Sequence, residues 1–141
     1  MTKNNVISIV FTLSGVYDAA LGAAFLLFGE KLFARYDVTP PNHWGYVQFP
    51  AALLIIFGLM FFAVASNPQR NRNLIPYGVL LKVAYAAIVF WYWAGAGIPD
   101  MWKPFAVADT LFAIAFVWSW VALRSEEKAL VSPATEGVSL P

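Results

Sequence analysis

The sequence contains no cysteine among its 141 residues. Thiol–disulfide chemistry, thiolate metal sites and a disulfide framework are therefore excluded. Histidine is also scarce, because His43 is the only one. It falls in a predicted loop beside Trp44, so the chain cannot by itself assemble a bis-histidine haem or a multi-histidine metal site. We accordingly expect no metal site.

Charged residues are also scarce. They make up 12% of the residues, whereas soluble globular domains carry roughly 25%. The net charge is +1, and the scattered Lys and Arg form no basic stripe interleaved with aromatics, so nucleic acid is excluded as a partner. The hydrophobic content of 60% points instead to the lipid bilayer as the surrounding solvent.

Four apolar stretches, 6–28, 45–65, 74–94 and 104–123, each reach the about 20 residues that a helix needs to cross a membrane. They predict an all-α fold, an integral membrane four-helix bundle with antiparallel up-down topology over residues 1–124. The first stretch follows Lys3 as a signal peptide would, but it is long and holds Asp18 halfway, so we interpret it as a retained span. Residues 125–141 are predicted to form a cytoplasmic tail, disordered after a short helical extension.

The distribution of basic residues indicates an orientation. In the predicted topology five lie on one side and three on the other, which places both termini in the cytoplasm by the positive-inside rule. The larger group is Lys3, Arg70, Arg72, Arg124 and Lys128, and the smaller is Lys31, Arg35 and Lys103. Four charged residues are predicted to form a solvated outer loop, namely Glu30, Lys31, Arg35 and Asp37.

Three ionisable residues, Asp18, Lys82 and Asp109, lie inside three different apolar stretches. An unpaired charge there costs several kcal/mol or more, so such residues are expected to pair, titrate or contact a ligand. A rise of about 1.5 Å per residue puts Asp18 roughly 18 Å, Lys82 roughly 12 Å and Asp109 about 22 Å above the cytoplasmic surface. Since a lysine side chain can extend by several Å, we predict that one layer holds all three.

Other polar residues are candidates for the same site. Tyr17 and Tyr85 fall at a similar depth, and the Tyr85 hydroxyl, one turn from Lys82, is expected to join the network. Gln48 is the polar side chain of the second span, where it either hydrogen-bonds across the bundle or faces headgroups. Gly22, one turn past Asp18, is predicted to leave space above the carboxylate. Three aromatic residues on the Asp109 face are candidates for the wall of a ligand site, namely Phe105, Phe112 and Phe116.

Two carboxylates and one ammonium cannot all ionise cheaply in a layer of low dielectric constant. Pairing Lys82 with either aspartate leaves the other as an uncompensated anion, so we predict that the layer holds one extra proton. Two interpretations follow. The layer is either a static network that fixes helix packing or a protonatable site whose ligand displaces or donates that proton.

The Tyr-Asp-Ala-Ala-Leu-Gly run at 17–22, with Lys82 in the third span and Asp109 in the fourth, resembles the DoxX-like family of small bacterial four-helix membrane proteins. The similarity covers roughly residues 5–124. It implies a location in the bacterial inner membrane and either a quinone or a membrane redox partner. The absence of cysteine separates this chain from the thiol chemistry that the resemblance otherwise suggests.

Four functions remain open at this point. The first is binding of a hydrophobic small molecule, a quinone or a lipid, with Asp18, Lys82 and Asp109 at its polar head. The second is an enzyme in which an aspartate is the acid or base, although no nucleophile–base pair identifies one. The third is a structural subunit or assembly factor, and the fourth is proton-coupled transport by a homo-oligomer.

Overall fold

The computed structural model describes residues 2–131, which form helices joined by short non-helical segments and contain no strand. The four helices are α1 (Lys3–Arg35), α2 (Gly45–Ser66), α3 (Ile75–Ala94) and α4 (Lys103–Val131). Short 3-10 turns, Arg72–Leu74 and Asp100–Trp102, lead into α3 and α4. All four helical segments are long and apolar enough to cross a membrane, and the predicted all-α class is confirmed.

Helix α1 continues past its predicted end. Phe28 has non-helical dihedral angles (φ −128°, ψ 16°), so the helix bends where the apolar stretch stops, and it then runs on to Arg35. The predicted outer loop is therefore wrong for Glu30, Lys31 and Arg35, which belong to the helix. The physical reason is Phe33, which is 6% exposed and packs its ring against Trp44 and Trp102 at centroid distances of 5.3 and 6.0 Å. One buried aromatic ring thus attaches the charged end of α1 to the bundle.

Helix α4 also exceeds the stretch that predicted it. It extends to Val131, so the first residues of the predicted tail are helical. The disorder predicted for the rest of the tail concerns residues 132–141, which lie outside the described residues.

Helices α1 and α2 pack closely because glycines line their contact. A Cβ built on Gly15 would lie 3.0 Å from the Gly58 carbonyl oxygen, and one on Gly58 would lie 2.9 Å from the Gly15 carbonyl oxygen. At Gly22 a Cβ would collide with the carbonyl oxygen of Ala51. The prediction that Gly22 leaves space above Asp18 is therefore wrong, because the α2 backbone occupies that space. Small residues at helix contacts serve this close approach in membrane bundles.

The core divides into two apolar clusters along the bundle. One contains Phe11, Phe61 and Phe116, whose rings meet at centroid distances of 4.3 to 5.9 Å and join α1, α2 and α4. The other contains Phe25 and Phe33 with Ala51 and Met101. Asp18 and Asp109 fall between the two clusters along α1 and α4, so a polar layer interrupts an apolar core.

Candidate functional site

Lys82 connects three helices through two buried ion pairs. Its Nζ donates to Oδ1 of Asp18 at 2.5 Å and to Oδ1 of Asp109 at 2.9 Å. Asp18 and Lys82 are fully buried, and Asp109 is 6% exposed. The predicted meeting of these residues from α1, α3 and α4 is confirmed by this geometry. Their role as a ligand site or proton site remains a prediction.

Aromatic rings surround the ammonium group of Lys82. Its Nζ lies 5.0 Å from the ring centre of Tyr17, 5.4 Å from that of Phe112 and 5.7 Å from that of Phe61. A cation near the face of an aromatic ring is attracted by the ring quadrupole, and more strongly where water is excluded. The ammonium is therefore held by two carboxylates and three rings, which fixes its position.

Three buried oxygen atoms in this region have no hydrogen-bond partner among the described residues. They are Oδ2 of Asp18, the hydroxyl of Tyr17 and Oγ of Ser14, all on α1. Buried polar atoms are nearly always paired, and leaving one unpaired costs about 1–3 kcal/mol. Two of the three belong to Asp18 and its neighbour Tyr17, so unused hydrogen-bonding capacity concentrates beside the ion pairs.

A cavity of about 360 Å³ lies against the two carboxylates. It is lined by Tyr17, Asp18, Leu21, Phe25, Phe33, Tyr46, Val47, Pro50, Ala51, Leu53, Leu54, Leu81, Tyr85, Trp102, Phe105 and Asp109. All four helical segments contribute, and most of the wall is aliphatic or aromatic. Ligand cavities in proteins commonly measure about 300–1,000 Å³ and combine apolar walls with a few polar groups.

Tyr85 lines the cavity but does not join the ion pairs as predicted. Its hydroxyl donates to the carbonyl oxygen of Trp102 at 3.2 Å. The hydrogen bond links α3 to the turn that precedes α4. The prediction failed because a backbone carbonyl partner in a 3-10 turn cannot be identified from side-chain spacing.

Gln48 lies apart from the other predicted residues. It is exposed, and it lines a second cavity of about 290 Å³ together with Trp44 and the segment around the bend at Phe28. Glu30 and Lys31 line the same cavity. Of the two interpretations offered for Gln48, this position agrees with the one that faces headgroups.

Several residues of the cavity wall were not predicted. Leu21 and Phe25 are examples, and helical spacing could have found them. They follow Asp18 by three and seven residues, which places them on its face of α1. Of the three phenylalanines proposed as a wall, only Phe105 lines the cavity, while Phe112 lies over the Lys82 ammonium and Phe116 is in the core.

Within residues 2–131 there is no group of three or more His, Asp or Glu side chains that could hold a metal ion. Comparisons of this chain with known protein families, with curated proteins and with solved structures find no match. The resemblance to the DoxX-like family therefore stays a prediction that depends on the residues quoted for it.

Proposed function

We propose that this chain is an integral membrane protein that binds a hydrophobic ligand, a quinone or a lipid, in the cavity beside Asp18 and Asp109. The carrying observation is an apolar cavity that ends on two buried carboxylates. The apolar walls would enclose the ligand tail, and the carboxylates would meet its polar head. Tyr17 and Tyr85 line the same space and complete the polar end.

The energetics of the ion pairs favour a functional role over a purely structural one. Burying charges costs several kcal/mol per ion, and replacing a buried ion pair by apolar residues of similar volume is often neutral or stabilising. A network kept only for helix packing would thus have an inexpensive apolar substitute. The unpaired Oδ2 of Asp18 adds a further desolvation cost to this network. A ligand that donates a hydrogen bond to this atom would offset that cost.

Membrane insertion in an antiparallel up-down arrangement is supported by two observations. The outward faces carry many large apolar side chains, including Leu27 at 70% exposed and Trp91 at 78%. Soluble proteins rarely expose so large an apolar area to water, so lipid would cover these surfaces. Along α1 the contacts with α2 run in reverse order, from Gly15 at Gly58 to Gly29 at Trp44, as two oppositely directed helices require.

The cellular setting of the proposal follows the resemblance and the basic residues. The chain would lie in a bacterial inner membrane with both termini in the cytoplasm, as the positive-inside rule predicts. There it would serve as an accessory subunit of a membrane redox system, either beside a redox partner or as a homo-oligomer. Its exposed apolar side chains would be available for such contacts within the bilayer.

Native mass spectrometry of the full chain, purified in a mild detergent, tests the proposal. We expect the wild-type protein to retain a discrete small molecule and Asp109→Asn to lose most of it. Asp100→Asn is the matched control, because Asp100 is a surface residue whose side chain is 91% exposed and pairs with Lys103. The control should retain the ligand as the wild type does.

Two results would contradict the proposal. If wild-type protein carried no discrete ligand while both variants were as stable as the wild type, a structural subunit or assembly factor would be the better description. Equal ligand retention by the wild type and Asp109→Asn would show that the Asp109 carboxylate does not contribute to binding. A circular dichroism melt of each preparation separates these results from simple unfolding.

A further inference from the structure

The polar end of the cavity contains more negative than positive charge. Two carboxylates, those of Asp18 and Asp109, share the single ammonium of Lys82, which pairs with one oxygen of each. Fully ionised, the layer has a net charge of −1, which either the extra proton predicted above or a bound cation that displaces this proton would balance. In a surrounding of low dielectric constant such an imbalance is costly, so a cation that reaches the layer would be bound more tightly than a neutral molecule.

Carboxylate acceptors line the polar end of the cavity, whereas the strongest donor of the layer, the Lys82 ammonium, does not line it. Asp18 and Asp109 are among the lining residues, whereas Lys82 is not and is enclosed by carboxylates and rings. Tyr85 has already committed its hydroxyl proton to the Trp102 carbonyl. The second oxygen of Asp18 and the Tyr17 hydroxyl remain without partners among the described residues. A ligand head that donates hydrogen bonds would satisfy the open carboxylate oxygen.

We propose that the ligand of this cavity is a cationic amphiphile, a long-chain molecule with a single ammonium head that pairs with Asp18 and is neighboured by Tyr17. The inference rests on the proposed binding function and names its ligand class. An ammonium supplies both the missing positive charge and the missing donors, and it can lie against the Tyr17 ring as the Lys82 ammonium does.

Other heads match the site less well. The carbonyl oxygens of a quinone are acceptors, so the Tyr17 hydroxyl would donate to one of them, but the ionised carboxylates would not. A fatty acid would add a third carboxylate to a layer that already has an excess of one. An alcohol would donate one hydrogen bond but leave the charge unchanged. Of these head groups, only the ammonium both balances the negative charge of the layer and donates hydrogen bonds to its carboxylates.

A series of chain-matched probes tests this on the unmodified protein. The full chain is placed in nanodiscs of phosphatidylcholine and titrated with dodecylamine, dodecanol, dodecanoate or decylubiquinone, with bound probe counted by native mass spectrometry. We expect dodecylamine to bind about tenfold more tightly than dodecanol, since a charge-assisted hydrogen bond is roughly twice as strong as a neutral one. Dodecanoate should bind weakest of the four.

Two variants separate site binding from partition into the nanodisc. Asp18→Asn keeps the shape of the side chain and leaves Lys82 paired with Asp109, so we expect the preference for the amine to vanish while dodecanol binding changes little. Asp100→Asn should keep the full preference. The ratio of amine to alcohol affinity is the readout, because it is insensitive to general loss of folded protein.

The outcomes distinguish this inference from the proposed function. If decylubiquinone or dodecanol bound as tightly as dodecylamine, the cavity would still bind ligands but the cationic class would be overturned. An amine preference that survived in Asp18→Asn would also overturn it, since the preference would then belong to the lipid. If no probe bound to the wild-type protein, the proposed function itself would fail.

Discussion

At the scale of single residues, Lys82 holds the polar layer together. Its ammonium serves two buried carboxylates and lies near three aromatic rings. Breaking a buried ion pair by removing one partner is much costlier than replacing the whole group by apolar side chains. The layer should therefore respond differently to single and to combined substitutions.

Lys82→Met is expected to destabilise the protein by about 3–5 kcal/mol, because it leaves Asp18 and Asp109 buried without a counter-ion. Unfolding by titration with sodium dodecyl sulfate in mixed micelles measures the change. Lys103→Met is the control, since its partner Asp100 is 91% exposed and the pair should contribute little. An equal response of the two variants would contradict this account.

The triple variant Asp18→Leu, Lys82→Met, Asp109→Leu extends the test. It removes every charge of the layer at once, so we expect it to recover most of the stability lost in Lys82→Met. The same variant should retain no ligand in the native mass spectrum. A triple variant less stable than Lys82→Met would mean that the charges are needed for packing.

The residues of the ion network could be predicted from the sequence for a simple reason. Charges are rare in apolar stretches, and the constant helical rise converts position along the chain into depth. Tyr85 was placed at the right depth, but its partner is a backbone carbonyl at Trp102, which depth does not reveal. Side-chain spacing thus locates polar groups more reliably than it identifies their partners.

At the scale of helices, the contact between α1 and α2 depends on how close the two backbones come. Gly22 faces the carbonyl oxygen of Ala51, a backbone atom that cannot move aside, whereas Gly29 faces side-chain atoms of Trp44 and Val47 at 3.6 Å or more. The two glycines lie on one helix and against the same neighbour. They therefore form a matched pair for substitution.

Gly22→Ala is expected to cost about 1–3 kcal/mol, because the added methyl group forces the helices apart. Gly29→Ala should be neutral or stabilise by up to about 1 kcal/mol, as alanine does in a helix where it fits. Sodium dodecyl sulfate titration of both variants provides the comparison. Equal stabilities would show that the backbones are not in close contact at Gly22.

The helices themselves were predicted from apolar stretches, and their bounds were predicted less well. Hydropathy reports which residues lie in an apolar environment and does not report where a helix ends. The predicted first span therefore ends at Phe28, although the helix runs on to Arg35. What continues the helix is one packed ring, Phe33, whose contacts involve residues distant in sequence. The close approach at Gly22 was missed for the same reason, because its cause lies on another helix.

At the scale of the whole molecule, the four helices form two pairs that meet around the cavity. Helix α1 packs along α2 and α3 packs along α4, and Lys82 joins the second pair to Asp18 of the first. The cavity between the pairs has residues of all four segments in its wall. Its existence follows from this assembly, so no single stretch of sequence predicted it.

The proposed topology can be tested with introduced cysteines, because the natural chain has none and each label reports one position. Asn42→Cys and Asn73→Cys place thiols at exposed positions before α2 and before α3. A membrane-impermeant maleimide should label Asn42→Cys in intact cells and Asn73→Cys only after lysis. Labelling of both in intact cells would contradict the crossing of the membrane by α2.

The separation of the charged partners along the chain has a consequence for biogenesis. Asp18 precedes Lys82 by 64 residues, and Asp109 follows Lys82 by 27. In the proposed topology the first helix pair precedes α3 in the chain, so it can enter the bilayer before its counter-ion Lys82 does. The glycine contacts between α1 and α2 can already form, but the Asp18 carboxylate has no ion-pair partner until α3 is inserted. A nascent chain that stops after α2 would thus expose a polar mark in the bilayer, by which quality-control proteases could distinguish it from a finished protein.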